Sequence, residues 1–249
     1  MNRIIVLDVA NIQFRAIFQY RERPQIPATW TFLNMITGYF NRLNVDLQDI
    51  VIMAQDFSSW RKEEEKKYKA QREENRLKQE DKAWWDARYK EFNELYKKLD
   101  IALPYNFIKL WLCEFDDIAS VSCRYFKDKE IIIISSDSDI EQLSYFSNVK
   151  IFSPISKKFK DIKNPMKILL NKINKGDKSD NLVEKVNSEM DFEHRKKLVD
   201  LISPLPDNIE NQIKEALGKI APKNLYIYKI PYPSIQKKFE KIYNLTRST

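Results

Sequence analysis

The sequence contains few of the residues on which several common enzyme classes depend. Only three glycines occur among its 249 residues, at positions 38, 176 and 218. This scarcity excludes both a Walker phosphate loop and a Gly-x-Gly-x-x-Gly dinucleotide loop. His194 is the one histidine, and it lies in a charged stretch that is typical of a protein surface. The chemistry of this chain must therefore depend on carboxylates, lysines and arginines.

Cysteines and long apolar runs are equally scarce. Cys113 and Cys123 are too few for a zinc site, and their apolar surroundings predict buried, reduced thiols of a cytoplasmic protein. No run of about 18 apolar residues is present to form a spanning helix. Residues 1–8 are typical of a strand and not of a signal peptide. Because 43% of the residues are hydrophobic, we expect a globular protein with a full core. Because no long apolar run is present, we expect no membrane association.

What the sequence does contain is charge. A formal net charge of +7 favours an anionic partner such as nucleic acid. Residues 57–103 include neither glycine nor proline and predict one long charged helix or two helices. Trp84 and Trp85 are unusual in such a polar stretch. Two interpretations are open, a dock onto the main domain and a platform for stacking bases, and we favour the dock.

Three predicted strands end in acids. Residues 131–134 are four consecutive isoleucines, as in a strand buried on both faces of a parallel sheet, and Asp137 and Asp139 follow them. The predicted strand at residues 3–7 is followed by Asp8, and the one at residues 50–54 by Asp56. The functional crevice of an open α/β sheet lies beyond the carboxyl ends of its strands. We therefore expect these acids to lie at one site edge.

Further acids lie in two other places. Residues 111–126 predict an amphipathic helix with Glu114, Asp116 and Asp117 near its start, which is more negative charge than helix capping needs. Helical spacing puts Glu114 and Asp117 on one face and Asp116 roughly opposite, so geometry alone leaves open which pair faces the sheet edge. The polar turn at residues 176–181 contributes Asp177 and Asp180.

Together these acids predict a metal centre. Nine carboxylates at one edge would repel one another strongly without cations. Oxygen ligands without cysteine or histidine favour Mg²⁺ or Mn²⁺, and two such ions are a known arrangement for phosphodiester hydrolysis. The expected fold is α/β, with a mostly parallel central sheet flanked by helices. The expected domains are a catalytic one at 1–180, with the charged helices at about 57–103, and a helical C-terminal nucleic-acid-binding region at 181–249.

Five blocks of sequence resemble motifs of one enzyme family, and they occur in the family's order. The chain resembles the 5′-nucleases, which are flap endonucleases and 5′→3′ exonucleases with a PIN-like fold, and most closely their ribonuclease H branch from T-even-type bacteriophages. The matching blocks are Asp8-Val-Ala-Asn-Ile-Gln-Phe-Arg-Ala, Asp56-Phe-Ser-Ser-Trp-Arg-Lys with Tyr68-Lys-Ala-Gln-Arg72, Glu114-Phe-Asp-Asp-Ile-Ala, Ser135-Ser-Asp-Ser-Asp-Ile-Glu-Gln-Leu143 and Gly176-Asp-Lys-Ser-Asp-Asn181.

The resemblance implies roles for the matching residues. Two Mg²⁺ ions, replaceable by Mn²⁺, would be held by two groups of acids. Those around the first ion would be Asp8, Asp56, Glu114, Asp116 and Asp137, with Asp117 as a further candidate, and those around the second would be Asp139, Asp177 and Asp180. Residues 57–103 would form a helical arch over the 5′ strand. The residues expected to meet the scissile phosphate and that strand are Arg61, Lys62, Tyr68, Lys69 and Arg72, with Arg61, Lys62, Asp8 and Asp137 assigned to catalysis.

The implied activity is removal of RNA primers and 5′ flaps during DNA replication. The expected partners are DNA and RNA–DNA hybrids, with replication proteins such as a single-strand-binding protein or a sliding clamp, and the enzyme would act as a monomer in the cytoplasm of a host bacterium. The alternatives are a catalytically silent nucleic-acid-binding protein on the same fold and a single-strand ribonuclease of the PIN type. One departure from the family is that no glycine-rich duplex-binding element follows residue 181.

Overall fold

A six-stranded sheet forms the centre of the protein. The computed structural model describes residues 3–71, 81–184, 186–221 and 223–244. The strands are β1 (Ile4–Asp8), β2 (Ile50–Gln55), β3 (Tyr105–Lys109), β4 (Ile131–Ile134), β5 (Val149–Ser153) and β6 (Lys158–Phe159). Their order is β3-β2-β1-β4-β5-β6, and only β6 is antiparallel to its neighbour. The predicted class, a mostly parallel sheet flanked by helices, is confirmed.

Helices cover both faces of this sheet. In chain order they are α1 (Val9–Glu22), α2 (Ala28–Leu43), α3 (Arg61–Glu64), α4 (Lys82–Ala102), α5 (Phe115–Tyr125), α6 (Pro165–Lys175), α7 (Glu189–Val199), α8 (Asp207–Gly218) and α9 (Pro233–Ile242). Two 3₁₀ helices lie at Asp139–Tyr145 and Ile227–Lys229. None of the helices in the described part of the chain has both the length and the apolar character that a membrane span requires.

Alternate residues of β1 belong to two different cores. Ile5 and Leu7 pack with α1, α2, α4 and α9 on one face, and Ile4 and Val6 pack with α5 and α8 on the other. Successive side chains of a strand point to opposite faces of the sheet. Both sets are fully buried because helices cover each face. A third, smaller core joins α6 and α7. The helices after residue 181 therefore contribute to all three cores.

Within the charged stretch at residues 57–103, helix α4 packs against the main domain. Trp85, on α4, is buried and its ring lies 6.1 Å from that of Phe14 on α1. The Trp84 ring stacks on Tyr20 with centroids 6.2 Å apart. The preferred interpretation of these tryptophans, docking onto the main domain, is confirmed. Residues 72–80, in the middle of the predicted arch, lie outside the described residues.

Candidate active site

Three neighbouring strands deliver acids to one edge of the sheet. Asp8 ends β1 and caps α1, with its Oδ1 accepting from the Asn11 backbone N–H at 2.9 Å. Its Oδ2 accepts from the Ser135 hydroxyl at 2.7 Å, which links the ends of β1 and β4. Asp56 follows β2, and Asp137 follows β4. Because β2, β1 and β4 are adjacent and parallel, all three carboxylates emerge on the same side of the molecule.

The start of α5 separates its three acids into two groups. Glu114 is the N-cap, and it forms a capping box with Asp117. Asp116 faces the cavity beyond the strand ends, whereas Asp117 is fully buried beneath α5. There Asp117 Oδ1 accepts from Trp60 Nε1 at 3.3 Å and pairs with Arg61 Nη1 at 2.8 Å. Asp117 was a candidate metal ligand, and that assignment was wrong, because its charge is already matched inside the fold.

Arg61 requires a second correction. It was expected to meet the scissile phosphate, yet only 2% of its surface is exposed. Its Nε donates to the Leu198 carbonyl at 2.7 Å, and its Nη1 lies 3.3 Å from Glu114 Oε2. The guanidinium therefore ties α3 to α5 and α7. This placement supports a structural role for Arg61 and gives no support to contact with a phosphate.

Tyr68 and Lys69 also point inward. Tyr68 is 3% exposed, and its hydroxyl donates to Glu114 Oε2 at 3.2 Å, so its assignment to nucleic-acid contact was wrong as well. Lys69 lines the cavity, with its Nζ 2.5 Å from Glu114 Oε1 and 3.8 Å from Asp180 Oδ1. Lys62 lies on α3 with a half-exposed side chain, and Arg72 lies outside the described residues. Whether Lys62, Lys69 or Arg72 contacts nucleic acid stays a prediction.

The turn after α6 supplies the last acids. Gly176 ends α6 with φ +74°, and an added Cβ would collide with the Leu182 carbonyl, so this position requires glycine. The tight turn brings Asp177 and Asp180 towards Asp139. One carboxylate oxygen from each of these three residues lies within 4.8 Å of the other two.

Lys172 is a site residue that the sequence analysis missed. It lies in the last turn of α6, and its Nζ is 2.6 Å from Asp177 Oδ2 and in contact with Asp139 Oδ2. The available signal was its place one helical turn before Gly176, the first residue of the predicted acidic turn. No helix was predicted there, although the spacing of Met166, Leu169 and Ile173 is typical of one. Without that helix the direction of the lysine could not be inferred.

Eight of the nine predicted acids line one cavity of about 200 Å³. Lys69 is the only basic residue among those that line it, and Phe115, Ser138 and Ser179 are the other lining residues. The eight acids are Asp8, Asp56, Glu114, Asp116, Asp137, Asp139, Asp177 and Asp180. The structure therefore brings together acids from three strand ends, one helix start and one turn.

The pKa values show where negative charge lacks a counter-ion. Burial, with the neighbouring carboxylate of Asp56, raises the pKa of Asp8 to about 7. Burial and Asp137 likewise raise the pKa of Asp116 well above its ordinary value. In contrast, Lys172 and Ser179 overcome the opposing effect of burial and lower the pKa of Asp177 to about 2. Lys69 and Lys172 thus balance part of the negative charge in the cavity. The carboxylates at the strand ends have no such counter-ion among the described residues.

This arrangement fits a hard divalent cation. All its donors are carboxylate oxygens, which Mg²⁺ and Mn²⁺ prefer. The raised pKa values of Asp8 and Asp116 indicate charge that a cation would stabilise. Lys172 is already close to two of the three clustered acids. The donor set therefore fits metal ions at the strand ends directly, and at the second cluster in competition with Lys172.

Comparisons with known proteins identify the family of this chain. A family model described as the 5′-3′ exonuclease, N-terminal resolvase-like domain, matches residues 3–172. The ribonuclease H of Enterobacteria phage T4 is 34% identical over 139 residues, which are 53% of this chain. The match spans 45% of that relative, less than half of its length.

Solved structures of a phage T5 enzyme share the fold. A mutant of the T5 5′-exonuclease superposes with a TM-score of 0.61 at 16% identity, over 89% of this chain and 100% of the other. The same enzyme with bound zinc gives 0.60 at 18% identity, over 96% and 97% of the chains. A T5 flap endonuclease complex with DNA and metal ions gives 0.59 at 17% identity, over 97% and 98%.

Proposed function

The chain belongs to the 5′-3′ exonuclease family, and on this premise we propose that it is a divalent-metal-dependent 5′→3′ exonuclease and flap endonuclease. The observation that carries the proposal is the convergence of eight carboxylates in one cavity. A structural role does not require so many acids in about 200 Å³, because their mutual repulsion destabilises the fold. Such a concentration of acid is expected where cations and a phosphodiester meet.

The proposed metals are two Mg²⁺ ions, for which Mn²⁺ would substitute. Asp8, Asp56, Glu114, Asp116 and Asp137 would hold the first, and Asp139, Asp177 and Asp180 the second. When bound, such ions lower the pKa of a water molecule and stabilise charge on the phosphate oxygens. The T5 enzyme has been solved with zinc and with DNA and metal ions, which supports a metal-dependent reaction on nucleic acid.

The chain's own residues would orient the reacting groups. The Ser135 hydroxyl fixes the Asp8 carboxylate, and the Phe115 backbone N–H fixes Asp56 at 2.7 Å. Lys69 holds Glu114 against the turn at 176–181. Lys62, half-exposed on α3, is the group that we assign to the scissile phosphate. These contacts keep the carboxylates in place before the substrate arrives, so little reorganisation is needed during the reaction.

The proposed substrates are DNA with 5′ flaps and RNA–DNA hybrids with 5′ ends. The matching relative is named a ribonuclease H, and the T5 enzyme is named both a 5′-exonuclease and a flap endonuclease. A net charge of +7 on the whole chain, despite the acidic cavity, supports binding of a polyanion by its phosphates. We therefore propose a role in removing RNA primers and flaps during replication.

The direct test is cleavage of two 5′-labelled substrates, a DNA flap and an RNA–DNA hybrid, in Mg²⁺ and in EDTA. We expect short labelled products in Mg²⁺ only, from the wild type and not from Asp137→Asn, with binding in EDTA retained by both. The Asp137→Asn variant is close to isosteric, so loss of cleavage reports the lost charge. Binding without any Mg²⁺-dependent cleavage by the wild type would instead identify a silent nucleic-acid-binding protein.

A further inference from the structure

Two large aromatic side chains are exposed on loops that lead to acids of the cavity. The rings of Phe57 and Trp111 lie 5.1 Å apart at an interplanar angle of 55°. Phe57 is 51% exposed and Trp111 is 62% exposed. The other four tryptophans are buried or pack against a hydrophobic core: Trp60 and Trp85 are buried, and Trp30 and Trp84 are partly buried. Packing against a core therefore accounts for the positions of those four tryptophans, but it does not account for Phe57 and Trp111.

The loops that carry the two rings are tied together. The Phe57 backbone N–H donates to the Cys113 carbonyl at 3.2 Å, and the Trp60 N–H donates to the Leu112 carbonyl at 2.9 Å. Leu112 adopts a left-handed conformation with φ +58°, and its N–H donates to the Ser58 hydroxyl at 3.0 Å. Such a conformation costs free energy in a leucine and persists only where its surroundings hold it. The pair is therefore presented by a fixed backbone.

Both loops that carry the pair also carry acids of the cavity. Phe57 directly follows Asp56, and Trp111 precedes Glu114 by three residues; both acids line the cavity. A cation lies there as well, since Lys109 Nζ is 5.1 Å from the centroid of the Phe57 ring. Lys109 is exposed and forms no ion pair within the described residues. Exposed aromatic rings with an adjacent unpaired cation are typical of surfaces that bind single-stranded nucleic acid.

We propose that Phe57 and Trp111 form a stacking platform for an unpaired nucleobase of the strand that enters the cavity. This inference rests on the proposed function and adds to it where the bases of the unpaired strand bind. Trp111 has the more exposed ring, so it would take the base, while Phe57 supports it from the side and Lys109 meets a phosphate. Every base has a π face, so the platform would bind the strand without regard to its sequence.

The test measures binding of a duplex with a 5′ oligothymidine flap by fluorescence anisotropy in EDTA. A second probe is identical except that the flap nucleotides are abasic. Stacking of one base is worth roughly 1–3 kcal/mol, so we expect Trp111→Ala to weaken binding of the thymidine flap by about 5- to 150-fold. The abasic flap should bind the wild type more weakly by a similar factor, and Trp111→Ala should not weaken it further.

Three other variants sharpen the result. Trp111→Phe should retain most of the affinity, because it keeps a π face. Lys109→Ala should weaken both probes equally, because it acts on the phosphate. Tyr125→Ala is the matched control, since Tyr125 is 42% exposed and is the last residue of α5, at the opposite end of that helix from the cavity. This variant should bind both probes like the wild type. Unchanged melting temperatures confirm that each variant folds.

Two results would overturn the platform. The first is that Trp111→Ala binds the thymidine flap with the same affinity as the wild type. The second is that Trp111→Ala loses affinity equally for the thymidine and the abasic flap, which would show that the ring does not contact a base. Cleavage of the thymidine flap in Mg²⁺ is measured separately. If the wild type cleaves but Trp111→Ala binds normally, only the platform fails. If binding depends on Trp111 and on the bases but nothing is cleaved, the proposed enzymatic activity fails and the platform stands.

Discussion

The ammonium group of Lys172 lies 2.6 Å from Oδ2 of Asp177 and also contacts Asp139. These two acids and Asp180 are the three whose oxygens cluster within 4.8 Å. The lysine side chain is 14% exposed, so its charge is poorly screened by solvent. Lys172 is therefore a built-in counter-ion for the carboxylates that we assign to the second metal, and a divalent cation must compete with it.

Replacing Lys172 by methionine should strengthen binding of a divalent cation. Two unit charges at about 4 Å interact by roughly 4 kcal/mol near a protein surface, so even partial relief of the competition should exceed a tenfold gain in affinity. Mn²⁺ binding measured by titration calorimetry provides the test. Lys150→Met, which removes a pair between Lys150 and Glu130 with 61% and 39% exposure, is the control and should change nothing. Weaker Mn²⁺ binding by Lys172→Met would show that the lysine positions the acids instead of competing for them.

The cation-free protein should lose stability as the pH rises from about 4 to about 7. Asp8 has its pKa raised to about 7 by burial and by Asp56, against an ordinary value of 3.8. Between these values the folded state keeps a proton that the unfolded state has released, so raising the pH favours unfolding. Urea unfolding in EDTA across this range provides the measurement. Asp8→Asn should show a flatter dependence, and a wild-type stability that rises over this window would contradict the assignment.

Arg61 should contribute to folding and not to turnover. Arg61→Met removes the partner of the fully buried Asp117, and we expect a loss of about 3–5 kcal/mol in the free energy of unfolding. Adding Asp117→Asn should recover part of that loss by removing the uncompensated charge. Arg21→Ala breaks an exposed pair with Asp81, with 56% and 52% exposure, and should cost less than about 1 kcal/mol. A stable Arg61→Met protein with poor turnover would restore the substrate-binding role.

Lys62→Ala should show the opposite behaviour. Its side chain is partly exposed on the short helix α3, so its removal should cost less than about 1 kcal/mol even where a surface contact is lost. If Lys62 stabilises charge on the scissile phosphate, its loss should lower kcat by roughly 10²-fold or more. Single-turnover cleavage of the labelled flap measures this effect, with Lys98→Ala on the exposed side of α4 as a control. Equal rates for the two variants would leave Lys62 as an ordinary surface lysine.

The sequence determined the parallel sheet and the edge at which the acids meet. Runs such as Ile131–Ile134 are diagnostic of strands buried on both faces, and parallel strands place their carboxyl ends together. These two rules alone predicted that Asp8, Asp56 and Asp137 lie at one edge of the sheet. Strand β3, at Tyr105–Lys109, and helix α6 were not predicted. Only Tyr105 and Ile108 of β3 are buried, so its apolar pattern is short, whereas α6 has apolar residues at helical spacing and that signal was missed.

Only the tertiary structure decided which side chains face the cavity. Asp116 and Asp117 are adjacent, yet one lines the cavity and the other is buried against Arg61. Their spacing in the helix does not indicate which of the two acids faces the edge of the sheet. Lys172 and Trp111 were likewise assigned by their surroundings, an acidic cluster for one and open solvent for the other. Local pattern determines which elements form and where their ends meet, but the packing of distant elements determines which charges are compensated and which rings stay exposed.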